Sequence, residues 1–425
     1  MPVKAFEACG VLAGGASSPV RAGTPVGGAP FVQSSGRGAY AFDATGRRYV
    51  DYVMAYGPLL FGHAHPALTG GLDAIAARGT VFGSTHEEEE RLAARLCAHV
   101  PSVEKLRFTS TGTEAVMSAV RVARAFTGRP LLLRFAGNYH GHFDAALLGA
   151  GASAASSTDL GSGIPSNTSA DVVLARYNDL ADVERALAGR ENLLAAILVE
   201  PIAGNMGLVL PVDGFLNGLT VRARNAGALV IFDEVITWLR LGLGGAQGML
   251  GLRPDLTAFG KAMGGGFPLA AFGGRAEVMR ALSPDGDAFT GGTLSGNPFC
   301  IAIGHRVLDL IERDPGLYER LEAAGGRLAD GLRAALHAAE FPATVTQCGS
   351  MVDFKFRAGA AASNYDEASA IDRKAFAAYY HAMRAGGVLL APSPNELMFL
   401  SSEHSAADID FTVALAHEAL RSALR

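Results

Sequence analysis

Short apolar runs separated by helix-patterned stretches fill the middle of this chain, and that alternation limits what it can fold into. Leu131–Phe135, Leu194–Val199, Ala228–Phe232, Leu256–Phe259 and Leu269–Phe272 are each four to six residues long and end at glycine or polar residues. A run of this kind without polar alternation suits a strand covered on both faces, as in a largely parallel sheet. Residues 112–126 have amphipathic helical spacing and stop before Thr127-Gly128, and 178–190 and 213–226 read as crossover helices. Residues 39–53 read as a hairpin turning at Thr45-Gly46. The expected class is therefore α/β.

After about residue 305 the pattern changes. Helical stretches over 301–340 precede strand-like runs near 343–356 and 387–400, and a helix closes the chain at 406–424. This predicts a large domain over 61–305 and a smaller α+β domain over 306–425, with residues 1–60 packing on the smaller one. Residues 148–172 are rich in Ala, Ser and Gly. That composition fits either a plain surface loop or a lid over a site.

Charge and cysteine content exclude several functions. Lys and Arg total 36 against 41 Asp and Glu, a net charge of −5, and no basic block occurs, so nucleic acid is not an expected partner. No apolar run reaches 18 residues, so no membrane span is expected. Cys9, Cys97, Cys300 and Cys348 form no CxxC pair and have no zinc-like spacing with histidine. They read as reduced thiols without a metal. With no apolar h-region behind Met1, the expected address is the cytoplasm.

Glycine is in excess, 53 of 425 residues, and it clusters at the ends of the apolar runs, where α/β proteins bring backbone close to a ligand. Three such places carry chemistry. The run at 230–232 ends in Asp233-Glu234-Val235, a carboxylate at a strand end or simply a helix cap. Lys261 follows another run and precedes three glycines, where desolvation can make an amine nucleophilic. Thr111-Gly112-Thr113-Glu114 opens the clear helix, which makes it an anion site or an ordinary cap. Together a lysine, a carboxylate and a phosphate cradle are what pyridoxal 5'-phosphate requires. Tyr139-His140-Gly141-His142 can supply a ring to stack on it.

In these residues the chain resembles the class III aminotransferases of the fold-type I pyridoxal-phosphate enzymes, and within them it is most similar to the glutamate-1-semialdehyde 2,1-aminomutase branch. The likeness runs from about residue 10 to 420. It is carried by Ser18-Pro19-Val20-Arg21-Ala22, Tyr56-Gly57-Pro58, Gly62-His63-Ala64-His65-Pro66 and Gly112-Thr113-Glu114-Ala115. Further along it continues through Tyr139-His140-Gly141-His142, Glu200-Pro201-Ile202-Ala203-Gly204-Asn205 and Asp233-Glu234-Val235. It ends with Lys261 and its glycines and with Gly292-Thr293-Leu294-Ser295-Gly296-Asn297-Pro298.

The resemblance implies a role for each. Lys261 would link covalently to the cofactor and then move the substrate proton. Asp233 would pair with the ring nitrogen, and Tyr139 would stack on the ring. Thr111, Gly112 and Thr113 would hold the phosphate, with Thr293 reaching it from the second subunit of a homodimer. Glu200, Asn205 and Val235 would line the ring's pocket. Ser18, Arg21, Tyr56 and Glu396 would face the substrate, Arg21 holding its carboxylate. The cofactor would alternate with its pyridoxamine form, and the small-molecule partners would be an amino acid with a keto acid or semialdehyde. A non-catalytic scaffold on this fold would be marked by loss of Lys261 or Asp233, and both are present.

The chain also departs from the aminomutase pattern. Ala136 stands where that branch has glutamate, Tyr56 where it has tryptophan, and Ile236-Thr237-Trp238-Leu239-Arg240 where it has Met-Thr-Gly-Phe-Arg. Losing a pocket carboxylate forfeits a polar contact worth about 1–3 kcal/mol. These departures point to an aminotransferase acting on a carboxylate-bearing amino acid. Glutamate-1-semialdehyde 2,1-aminomutase, making 5-aminolevulinate, is the alternative. Trp238 reads equally as a pocket wall or as core.

Overall fold

The computed structural model describes residues 10–148 and 163–423. Residues 149–162, most of the Ala/Ser/Gly-rich segment considered as a lid, lie outside the described residues.

Near the start, β1 (Gln33–Arg37), β2 (Tyr40–Asp43) and β3 (Arg48–Asp51) form an antiparallel meander. The β2–β3 turn falls where the Thr45-Gly46 signal put it, with Gly46 at φ +83°. The large sheet contains β4 (Lys105–Thr109), β5 (Leu131–Phe135), β6 (Val172–Ala175), β7 (Leu194–Val199), β8 (Leu229–Asp233), β9 (Leu256–Phe259) and β10 (Ala270–Gly274). Their order across it is β4-β10-β9-β8-β7-β5-β6. All its strands run parallel except β10, which lies antiparallel between β4 and β9.

The apolarity of the central strands β7 and β8 has a packing cause. Along β7 and β8, Leu198 and Ile231 join the core cluster under the helix Gly112–Thr127, whereas Ile197, Val199, Val230 and Phe232 join the cluster under Leu180–Leu187 and Phe215–Ala226. Alternate residues face opposite layers and both layers are covered, so apolar side chains are favoured on both faces of β7 and along the body of β8. The parallel strands place their carboxyl ends, at residues 109, 135, 199, 233 and 259, along one edge of the sheet.

The last third carries two long helices, Pro298–Glu312 and Leu317–Ala339, followed by β11 (Thr344–Cys348) and β12 (Met351–Lys355), which form a hairpin. A helix at Arg373–Gly386 leads to β13 (Val388–Leu389), which pairs in parallel with β3, and β14 (Met398–Phe399) pairs with β12. The N-terminal meander is thereby tied to the C-terminal part of the chain. The closing helix Ala406–Ala423 packs on Leu317–Ala339 and Arg373–Gly386. No described helix is long and apolar enough to cross a membrane.

Candidate active site

Five strand ends meet at one cavity of about 210 Å³. Its walls include Thr111–Thr113 after β4, Tyr139–Gly141 after β5, Glu200 after β7, Asp233 at the tip of β8 and Lys261 after β9. The sheet brings together residues up to 150 positions apart because every parallel strand ends on the same edge.

The floor is a carboxylate–imidazole pair. Asp233 Oδ2 lies 2.8 Å from His140 Nδ1, and Asp233 Oδ1 accepts from the Val235 amide at 3.1 Å. Burial holds the His140 ring below its usual pKa, against the pull of Asp233. A neutral ring then donates from Nδ1 to the carboxylate, and its buried Nε2 has no hydrogen-bond partner among the described residues.

Glu200 forms one wall. Its Oε1 accepts from the Tyr139 amide at 2.7 Å and from Asn205 Nδ2 at 2.9 Å, and its Oε2 accepts from the Gly204 amide at 2.7 Å. Burial, then the nearby Asp233 charge, push its pKa to about 7 in spite of these donors. Asn138 Oδ1 accepts from the Glu200 amide, fixing the turn after β5 against the end of β7.

The opposite wall is the start of the helix Gly112–Thr127. Thr111 and Glu114 form a reciprocal capping box, with Thr111 Oγ1 accepting from the Glu114 amide and Glu114 Oε2 accepting from the amides of Ser110 and Thr111. The first intrahelical bond runs from Ala115 to Thr111, so the Gly112 and Thr113 amides precede the ladder and face the cavity as donors. Backbone approach is close here. A Cβ on Gly112 would sit 2.9 Å from Val235, and one on Gly141, at φ +89°, would sit 2.5 Å from the Thr113 hydroxyl.

Lys261 closes the site from a strained turn. It has φ +46°, a left-handed conformation rare outside glycine, in the short helical turn Lys261–Gly264. Burial depresses its pKa, while Glu396, Glu200 and Asp233 pull it back up. Beside it, Met54, Ala55 and Tyr56 also take positive φ, and a Cβ on Gly57 would meet Lys261 Cδ at 3.4 Å. Buried Arg240 holds this second strained turn. It donates to Gly57 O at 2.6 Å, Leu400 O at 2.9 Å and Ser350 Oγ at 2.8 Å, and lies over the Phe399 ring.

Of the residues expected from the sequence, Thr111, Gly112, Thr113, Tyr139, Glu200, Asn205, Asp233, Val235 and Lys261 all line this cavity. Arg21 and Tyr56 line a second cavity of about 400 Å³ together with Asp51 and His63, which share a 2.7 Å contact. Glu396 is half-buried and acts electrostatically on Lys261, Tyr56 and Tyr139. Ser18 precedes the short turn Pro19–Ala22 and lines neither cavity. Thr293 is exposed and lines neither. Trp238 belongs to the core: it is fully buried, packs edge-on to Phe259 with centroids 4.7 Å apart and donates to Leu243 O. Two functional side chains receive no role from the sequence, His140 and Arg240, although both sit inside motifs quoted above.

The comparison with known proteins fits this geometry. The family model for "Aminotransferase class-III" matches residues 24–414. The chain belongs to the class III aminotransferase family. It is 47% identical over 420 residues to the glutamate-1-semialdehyde 2,1-aminomutase of Roseiflexus castenholzii, covering 98% of this chain and 96% of that one. Among solved structures it resembles an omega-transaminase from Sphaerobacter thermophilus, with TM-score 0.89 and 33% identity, covering 98% of this chain and 96% of the other. A glutamate-1-semialdehyde aminomutase from Pseudomonas aeruginosa in complex with PMP matches with TM-score 0.83 and 28% identity, over 93% of this chain and 88% of that one.

The cavity's own donors suit the cofactor of such enzymes. It offers a helix-start amide pair for a phosphate, a buried carboxylate for a protonated ring nitrogen and an amine for a carbonyl carbon. No metal-holding cluster of His, Cys, Asp or Glu occurs among the described residues.

Proposed function

We propose that this class III aminotransferase-family enzyme binds pyridoxal 5'-phosphate at the Lys261 cavity and acts as a glutamate-1-semialdehyde 2,1-aminomutase. The observation that carries the reading is the likeness to curated aminomutases along nearly the whole chain, 47% and 46% identical over 98% and 97% of it. It favours the aminomutase over the simple aminotransferase that Ala136 and the other departures suggested.

In this reading the cofactor supplies an electron sink for the carbanion left when a substrate C–H proton is removed. The chain's residues do the rest. Asp233, oriented by His140 and the Val235 amide, holds the ring nitrogen protonated. The amides of Gly112 and Thr113 hold the phosphate, and Tyr139 covers one ring face. Lys261 Nζ, its pKa lowered by burial, takes up and returns the proton at the reacting carbon. Arg21 holds the substrate carboxylate, and Tyr56 and Glu396 bound its other end. Thr293, exposed in the single chain, reaches the phosphate of a second subunit in a symmetric dimer. The domain limits 61–305 and 306–425 and a cytoplasmic address complete the proposal.

A second reading keeps a specific observation. The omega-transaminase match has the higher TM-score of the two structures, and Ala136 lacks the aminomutase carboxylate. The test separates the two. The purified protein, loaded with cofactor, receives glutamate-1-semialdehyde with no keto acid. Its conversion to 5-aminolevulinate, followed by mass spectrometry, supports the aminomutase. Bleaching by an α- or β-amino acid, reversed only by added keto acid, makes the enzyme an aminotransferase instead.

A further inference from the structure

Strand β12 carries two ionisable side chains into the interior. Asp353 and Lys355 lie two positions apart on one face and are each about 3% exposed. Their partners belong to two loops. Asp353 Oδ2 accepts from the Leu208 amide at 3.0 Å. Lys355 Nζ donates to Pro394 O at 2.6 Å and lies 3.5 Å from Asn395 Oδ1. The loops also bond each other, Gly207 N donating to Asn395 O at 2.8 Å. Gly207 is at φ +84°, and a Cβ there would fall 2.2 Å from Lys355 Cε and 2.4 Å from Asp353 Oδ2.

The two loops matter to the site. Residues 202–209 include Ile202 and Asn205, which line the cofactor cavity, and residues 392–397 carry Glu396. As a charge pair the two side chains add little stability; what they supply is hydrogen bonds to the Leu208 amide and the Pro394 carbonyl of the two loops. We propose that Asp353 and Lys355 are positioning residues that lock the 202–209 and 392–397 loops onto one strand and so fix Glu396 within electrostatic reach of Lys261.

Charge follows the same geometry. Burial raises the Glu396 pKa, and Lys261 and then Lys355 oppose that rise. Tyr56 and Tyr139 are the other titratable groups that feel Glu396. Lys355 itself is depressed by burial and by Arg373, and restored by Asp353 and Glu396. Removing the Lys355 charge therefore lets Glu396 take up a proton at higher pH, and Lys261 loses a neighbouring anion.

The inference rests on reading the Lys261 cavity as a cofactor site, so its test begins with the unloaded protein. Lys355→Gln keeps an amide donor for Pro394 O and removes the charge. Asp353→Val with Lys355→Met removes both buried charges together and leaves neither unpaired, which protects folding. Amide exchange should quicken about tenfold in segments 203–209 and 392–397 together, and not in β7 or β8. In the loaded enzyme, Lys355→Gln should move the pH midpoint of the cofactor's absorbance downward by about half to one unit. In a Glu396→Gln background the same substitution should add no shift. Unchanged exchange in the two loops, or a pH shift that persists without Glu396, overturns the proposal. Failure of the wild type to take up cofactor overturns the functional reading instead and leaves the exchange result to decide this one.

Discussion

His140 and Asp233, 93 residues apart in sequence, share a buried 2.8 Å hydrogen bond at the base of the Lys261 cavity. The histidine fixes which way the carboxylate points, and the Val235 amide on the other oxygen completes the grip.

Replacing His140 by Phe should leave the fold intact and loosen the cofactor. A hydrogen bond to a charged group is worth about 1.5–3 kcal/mol, so the dissociation constant for pyridoxal phosphate should rise by about tenfold or more. Titration of the unloaded variant, followed by cofactor absorbance, measures it. An unchanged constant would show that the pair has no part in holding the ring.

Lys261 should react as an amine below the ordinary lysine range. Burial lowers its pKa from the usual 10.5, and Glu396 is the first of the carboxylates opposing that. The rate of cofactor uptake by the unloaded protein should therefore rise with pH and level off at a lower pH than an ordinary lysine would give. Glu396→Gln removes an anion that favours the ammonium form, so the plateau should begin at still lower pH. A plateau unmoved by that substitution would place Glu396 out of range of the amine.

Glu200 makes a stability prediction with a definite sign. Its folded pKa, about 7, lies above the ordinary glutamate value of 4.5. Between those values the native state holds a proton that the unfolded state lacks. Its contribution is therefore fully present below about pH 4.5 and is lost as pH rises through about 7. Relative to Glu200→Gln, the unloaded wild type should lose on the order of 2–3 kcal/mol across that window. Urea denaturation of both proteins at pH 5 and pH 8 reads the difference, and equal differences at the two pH values would refute it.

The sequence is most legible where one physical constraint acts alone. β5, β7 and β9 end where their apolar runs end, because burial on both faces leaves no latitude. β4, Lys-Leu-Arg-Phe-Thr, gives no such signal, since it lies at the sheet edge and alternates polar residues. The site residues Asp233, Glu200 and Lys261 are readable because each ends or closely follows such a run. His140 and Arg240 are not, because their partners come from other strands and loops: Asp233 in one case, Gly57, Ser350 and Leu400 in the other. Asp353 and Lys355 have the spacing of a polar strand face turned to water, whereas β12 is the middle strand of its sheet and both side chains are buried.

Arg240 gives the last prediction. Its guanidinium is buried with no carboxylate partner among the described residues and donates to three segments, at Gly57, Ser350 and Leu400. Gly57 ends the run of positive-φ residues at 54–56, a conformation that costs about 1–3 kcal/mol per residue and persists only where its surroundings enforce it. Arg240→Met would strand these acceptors and release the turn. Arg240→Lys would keep the charge, but a single ammonium cannot span the three acceptors of a planar fork. Both variants should lose about 2–4 kcal/mol of stability, and the lysine should recover little of it. Because Gly57 packs on the Lys261 side chain, both should also slow covalent capture of the cofactor at Lys261, measured by borohydride trapping and peptide mass. Capture at the wild-type rate in a destabilised Arg240→Lys protein would mean that the turn at 54–57 takes no part in setting the lysine.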